Sequence, residues 1–180
     1  RGVRMETSYI ERLRHLGVPG VYVTEPGLID IEISDTISQR TRMEATANIK
    51  AVFDSVRVGK TFKLDDVSRS VKTIIDEIIQ NPNVLASLSD VRSYDGYTFS
   101  HSVNVCVISV MLGLKSHLNE MQLYELALGA ILHDIGKTQV PEDILLKPGR
   151  LTDEEMAVMQ QHTTYGWQIL RSNLEIPLSS

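Results

Sequence analysis

Gly129-Ala130-Ile131-Leu132-His133-Asp134-Ile135-Gly136-Lys137 is the stretch that decides how this chain is read. An apolar helical run leads straight into an adjacent histidine and aspartate, and a glycine and a lysine follow. A carboxylate in such a place is costly to bury unless a cation or a full set of hydrogen bonds compensates it. Imidazole and carboxylate both suit first-row divalent metals, and a carboxylate can bridge two of them. Gly136 permits a tight exit from the helix. Lys137 can then turn back toward the site as a point charge for phosphate. A His-Asp pair that caps a helix end would fit the same residues, so this stretch alone leaves both readings open.

The sequence around it is largely helical in pattern. Residues 119–133 predict a helix with Leu123, Leu126, Ala127, Ala130 and Ile131 inward. Residues 97–114 are apolar nearly all round and predict a central helix. On it His101 shares a stripe with Val105, Ile108 and Leu112, which is expected to face the core. Val67, Val71, Ile74, Ile75, Ile78 and Ile79 form the clearest amphipathic repeat, on a helix capped by Asp65 or Asp66 and stopped at Asn81-Pro82-Asn83. A short helical turn over 84–88 and a polar loop through Asp95 and Gly96 follow. Before that repeat, a helix is expected from a cap at Ser34 or Asp35 to about Val56, ended by Val58-Gly59-Lys60.

Beyond Lys137, residues 140–149 read as loop with a helical turn over 142–146. Thr152 and Glu155 make a capping box for one helix over 153–171. There His162 shares a stripe with Met159, Gly166 and Ile169. Trp167 lies on a stripe with Met156, Thr163 and Leu170 and is expected in the core. Pro177 closes the ordered pattern. At the other end, residues 4–16 predict a short helix, and 21–24 and 28–33 predict strands around Glu25-Pro26-Gly27. The fold class is therefore mainly α: a helical domain over 34–180, with a small α+β appendage, or the end of a preceding domain, over 1–33.

The 180 residues carry a net charge of −5, with 42% hydrophobic and 23% charged residues. That balance argues against a non-specific binder of nucleic-acid polymers. It is compatible with a phosphorylated small molecule, because a bound cation supplies local positive charge. No run reaches the roughly 18 apolar residues of a membrane span, so a cytoplasmic protein is expected. The single cysteine, Cys106, lies between valines and reads as an inert buried thiol. The chain opens on Arg1 and is expected to be cut from a longer protein.

Five histidines occur. His15 and His117 read as surface residues. His101 and His162 fall on separate helices that could pack against the one ending at His133, so three imidazoles and Asp134 are candidates for one site.

The string from His133 to Lys137, then Val140-Pro-Glu-Asp-Ile-Leu-Leu-Lys-Pro-Gly-Arg-Leu-Thr152, then Glu154-Glu155-Met156, Gln161-His162 and Tyr165-Gly166, resembles the HD-GYP family, a branch of the all-helical HD-domain phosphohydrolases. Tyr97-Thr-Phe-Ser-His101-Ser-Val103 resembles its first metal-ligand motif. The likeness is dense over about 95–176. It implies that His101, His133, Asp134 and His162 are metal ligands, with Asp134 bridging a binuclear iron or manganese centre, and that Lys137 contacts the substrate phosphate. Some members carry a glutamate one helical turn before the first histidine. Tyr97 stands there, which argues against a third metal.

The resemblance further implies hydrolysis of cyclic di-GMP by a metal-activated hydroxide, with Asp134 and Lys137 in catalytic roles. Lys147 and Arg150, in the Lys-Pro-Gly-Arg turn, are either substrate contacts or two exposed cations on a solvated loop. The family's later His-His pair, aspartate and Gly-Tyr-Pro segment are not in the chain. The expectation is therefore an incomplete site that holds metal weakly, in a fragment inactive alone. Exposed apolar surface around residues 97–114 would then favour a homodimer or a swapped oligomer. Two alternatives stand beside this reading. One is a degenerate HD domain acting as a nucleotide-binding or protein-interaction module, and the other is an enzyme of the same class with a different phosphate ester as substrate.

Overall fold

The computed structural model describes residues 6–15, 36–81 and 97–173. The strands expected over 21–24 and 28–33, the turn over 84–88, the loop through Asp95 and Gly96, the boundary at 33/34 and Pro177 lie outside them. Eight α-helices run through the described residues: α1 (Thr7–His15), α2 (Gln39–Arg57), α3 (Asp65–Gln80), α4 (Tyr97–Lys115), α5 (Glu120–Leu132), α6 (Glu142–Leu145), α7 (Asp153–Gln160) and α8 (His162–Arg171). A 3-10 turn, Ile135–Gln139, follows α5.

Four of these helices make the core. α4 packs on α5, α2 and α3, and α3 also packs on α2 and α5. The buried positions of α2 (Thr41, Ala45, Ile49, Val52, Phe53, Val56) and of α3 (Val67, Ser70, Val71, Ile74, Ile75, Ile78) keep helical spacing and face each other. From α4 come Val103, Cys106, Val107 and Val110, and from α5 Leu123, Ala127, Leu128, Ile131 and Leu132. Burial pushes the Cys106 thiol up to about 12, so the expected inert thiol is what the core contains. Phe53 and Phe99 meet edge to face with centroids 5.4 Å apart, and Arg42 reaches from α2 to the buried Asn104 of α4.

Tertiary contacts move several expected boundaries. The cap of α2 is Ser38, not Ser34 or Asp35. The Ser38 hydroxyl accepts from the Thr41 amide at 3.1 Å, while Glu77 of α3 accepts from the Ser38 amide (2.6 Å) and the Thr41 hydroxyl (2.6 Å). A carboxylate from the neighbouring helix thus fixes which serine starts α2. α3 starts after Leu64, with no side-chain cap. Asp65 and Asp66 sit inside its first turn, where negative charge favours the helix dipole, and the burial of Leu64 sets the boundary. Ile79 and Leu126, expected inward, are 48% and 38% exposed.

His117 is exposed, as expected, but it has a structural task. It takes the left-handed conformation (φ 58°) that ends α4. The Leu118 amide donates to Gly113 (3.0 Å) and the His117 amide to Leu114 (3.1 Å), which is a Schellman termination.

The expected helix over 153–171 is two helices broken at Gln161. Its capping box is present: the Thr152 hydroxyl accepts from the Glu155 amide and Glu155 accepts from the Thr152 amide. At the break, the carbonyls of Met159 and Gln160 accept from His162 Nδ1 (2.7 Å) and Thr163 Oγ1 (3.1 Å). The stripe expected to place Trp167 in the core faces solvent on both helices, at Met156 of α7 as at Thr163 of α8. Trp167 is 58% exposed, with the Arg171 guanidinium 4.9 Å from its ring centroid. α8 turns Gly166 inward instead, with Ile169 and Leu170 half-buried against the core.

Candidate metal centre

Asp134 lies between the end of α5 and the 3-10 turn, and its side chain is 4% exposed. Burial alone would push its carboxyl up. Hydrogen bonds from His133 and Lys137, and the charge of both, outweigh that and hold it well below the usual carboxylate range. Lys137 Nζ sits 2.7 Å from Oδ2 and His133 Nε2 3.2 Å from the same oxygen. His162 Nε2 stands 3.8 Å from the other oxygen, Oδ1. The two carboxylate oxygens thus face different histidines, brought by α5 and α8.

The imidazoles are oriented by backbone. His133 Nδ1 donates to the Ala130 carbonyl at 2.8 Å and His162 Nδ1 to the Met159 carbonyl at 2.7 Å. A carbonyl can only accept, so Nδ1 carries the proton in both rings. In the neutral rings Nε2 is then a lone pair facing a carboxylate. Two acceptors at such range repel unless a proton or a cation lies between them. A proton is one solution: the Asp134 hydrogen bond is the largest influence on His133, and it raises the imidazolium above its ordinary value despite burial. A divalent ion is the other, and backbone carbonyls holding Nδ1–H are the usual outer support of a metal-ligating histidine.

His101 completes the group from α4. Its ring centroid is 5.3 Å from that of His133. Ligand atoms of His101, His133 and Asp134 all lie within 4.8 Å of one another. Burial holds the His101 imidazolium below its ordinary value, and the charges of His133 and Lys137 add to that against the pull of Asp134. A neutral imidazole is the form that binds metal. The stripe assigned to His101 does not face the core: Val105 and Ile108 are half-buried and Leu112 is 63% exposed. The deep face of α4 is the one with Val103, Cys106, Val107 and Val110. His101 stands at the rim of the buried face, half-buried, where a ligand can be both held and reached. The group of two imidazoles, His101 and His133, and a buried, ionised carboxylate fits a divalent metal; His162 stands outside that group and approaches it only at Asp134 Oδ1.

The remaining candidates separate. Lys137 belongs to the cluster. Lys147 ion-pairs with Glu155, with its Nζ 2.5 and 2.7 Å from the two carboxylate oxygens, so it braces the Lys-Pro-Gly-Arg turn against α7. Arg150 is exposed on that turn, beside Gly149 at φ 107°. Sequence reasoning missed the carbonyls of Ala130 and Met159, because every residue has one and only folded geometry selects which of them matters.

The HD domain family model matches residues 98–178. A cyclic di-GMP phosphodiesterase of Pseudomonas aeruginosa is 36% identical over 126 residues, 70% of this chain and 30% of that protein. A cyclic di-GMP phosphodiesterase of Thermotoga maritima is 37% identical over 119 residues, 65% of this chain and 32% of that protein. A 3′3′-cGAMP-specific phosphodiesterase of Vibrio cholerae is 36% identical over 90 residues, half of this chain and 20% of that protein. The chain spans at most about a third of the length of these relatives. No solved structure matches it. No helix among the described residues is long and apolar enough to cross a membrane.

Proposed function

Because the chain belongs to the HD-domain family, on its HD-GYP branch, we propose that it carries the metal-binding part of a phosphodiesterase that hydrolyses cyclic di-GMP. The single observation that supports this best is the convergence of His101, His133 and Asp134, with His162 on the second carboxylate oxygen. In this reading His101, His133, Asp134 and His162 would hold the metal, with Asp134 the ligand shared between two ions; His133 Nε2 faces its Oδ2 and His162 Nε2 its Oδ1. Iron or manganese suits this mixed imidazole and carboxylate set.

The bound ions would supply Lewis-acid polarisation of the phosphoryl group and acidify the attacking water. The protein's own residues do the rest. The Ala130 and Met159 carbonyls keep both Nδ1 atoms protonated, so that both Nε2 atoms remain available as ligands. Lys137, anchored on Asp134, places an ammonium at the edge of the cluster, where a phosphate oxygen would meet it. Arg150 is the exposed cation left to contact substrate farther out. Lys147 acts on substrate only if it leaves Glu155.

The substrate base is the finer question. Relatives named for cyclic di-GMP and for 3′3′-cGAMP both align with this chain, and both substrates present the same 3′,5′-phosphodiester to the metals. Elemental analysis of the purified chain beside a His133→Ala variant tests the ligand set. Iron or manganese above background in the parent and lost in the variant is expected. Metal in neither protein, with none taken up from added Mn²⁺, would overturn the metal reading. Incubation of the metal-loaded chain, joined to the family's later His-His, aspartate and Gly-Tyr-Pro segment, with each dinucleotide then tests catalysis and base preference, and metal without turnover of either by that extended protein would favour a nucleotide-binding or protein-interaction module.

A further inference from the structure

We propose that Gly136 is a positioning residue for His162, setting how closely α8 approaches the 3-10 turn and hence how closely the His162 imidazole stands to Asp134. The inference rests on the metal-site reading above and adds the element that gauges it.

The contact is between backbones. α8 packs on the 3-10 turn that carries Gly136. A Cβ built on Gly136 would overlap the carbonyl oxygen of His162 and the amide nitrogen of Gly166. These are main-chain atoms of a helix and cannot swing aside as a side-chain tip can. Gly136 is not among the glycines with positive φ, so glycine is required here for space and not for an unusual backbone conformation. The atom struck belongs to His162 itself, and Gly136 lies two residues beyond Asp134. Any side chain at 136 therefore pushes on the peptide of one ligand from a point fixed to another.

The seam is asymmetric. A Cβ on Gly166, facing the same seam, would sit 3.5 Å from the Gly136 nitrogen, 3.8 Å from its Cα and 3.8 Å from Ile135 Cγ2, all ordinary contacts. Alanine fits at 166 and does not fit at 136. His101 and His133 are carried by α4 and α5, which pack on each other. Opening the seam moves His162 and leaves those two in place.

The test is calorimetric titration of the full chain with Mn²⁺, for the parent and for Gly136→Ala, Gly166→Ala, His162→Ala and the combined Gly136→Ala/His162→Ala, with circular dichroism confirming helical content. Gly136→Ala is expected to weaken Mn²⁺ affinity by about 10- to 100-fold, as losing a support of a ligand does. The combined variant should bind no more weakly than His162→Ala alone, and Gly166→Ala should bind as the parent does. Parent-like affinity in Gly136→Ala, or a combined loss that multiplies the two single losses, would overturn the proposal. Should Gly136→Ala not fold, Gly166→Val pushes on the same seam from α8 and must show the same pattern, and parent-like affinity there would overturn it equally. If the parent itself binds no Mn²⁺, the metal reading fails on its own. The positioning claim is then decided by a crystal structure of Gly136→Ala: a His162 Nε2 to Asp134 Oδ1 separation clearly beyond 3.8 Å upholds it, and an unchanged one refutes it.

Discussion

The bundle of α2 to α5 and the pair α7–α8 build the same site by different means. In the bundle, helix after helix presents five or six buried side chains, and His101 and His133 are held by that mass of apolar contact. In the pair, α7 buries no residue and α8 buries only Gly166. His162 is held by a close backbone seam, by Ile169 and Leu170 half-buried on the core, and by Asn173 donating to the Phe62 carbonyl at 3.1 Å. One half of the ligand set is fixed by burial, the other by fit. The first should resist small changes anywhere but in its core, while the second should be sensitive to single atoms.

The largest expected effect breaks the first half. Ile131 is fully buried on α5, two residues before His133. Ile131→Ala should cost about 2–5 kcal/mol of global stability, because it deletes buried methylenes and leaves a cavity in a close-packed core. Ile169→Ala, on the half-buried face of α8, should cost well below that range. Urea unfolding of both variants checks the contrast, and equal costs would mean that α8 belongs to the bundle energetically.

This contrast also explains what the sequence made legible. The bundle helices announce themselves by long apolar periodicity, and the histidines with Asp134 by their chemistry and motif. The boundaries at Ser38 and Leu64 depended on Glu77 and on core burial, which are tertiary facts. The break at Gln161 has no proline or glycine to signal it. The expectation that Trp167 is buried fell because α7 and α8 bury so little between them, which leaves Met156, Thr163 and Trp167 to solvent. The Gly136–Gly166 seam was written in the sequence only as two glycines, one of which needs its missing side chain and one of which does not.

A smaller effect probes Asp134, where the two halves meet. With metal removed by chelator, the folded carboxyl titrates below its ordinary value of 3.8. A group with a depressed folded value contributes stability that is present above the unfolded value, and it loses that stability as pH falls through the range below about 4. His133 titrates above its ordinary 6.5 and so contributes below that value, losing the contribution as pH rises past it. Its side chain is 35% exposed, which makes solvent screening of this second effect substantial. Asp134→Asn removes both. Thermal midpoints of the chelated proteins from pH 3 to 8 should show the parent falling more steeply on the acid side than the variant. Superimposable profiles would mean that the Asp134 cluster does not stabilise the fold.

The smallest expected effect isolates the second half. Thr152 caps α7 by accepting from the Glu155 amide, and replacing such a cap by alanine costs about 1 kcal/mol. Where that cost falls depends on how α7 and α8 are coupled to the bundle. α7 has no buried residue to tie its opening to global unfolding, so the loss should be felt locally. Hydrogen exchange should then accelerate about fivefold at the amides of α7, the factor that about 1 kcal/mol represents, while protection in α3 and α5 stays unchanged. Acceleration in all three helices would show that the pair unfolds only with the bundle. His162 would then be held as firmly as His101 and His133, and the division between burial and fit would collapse into a single cooperative unit.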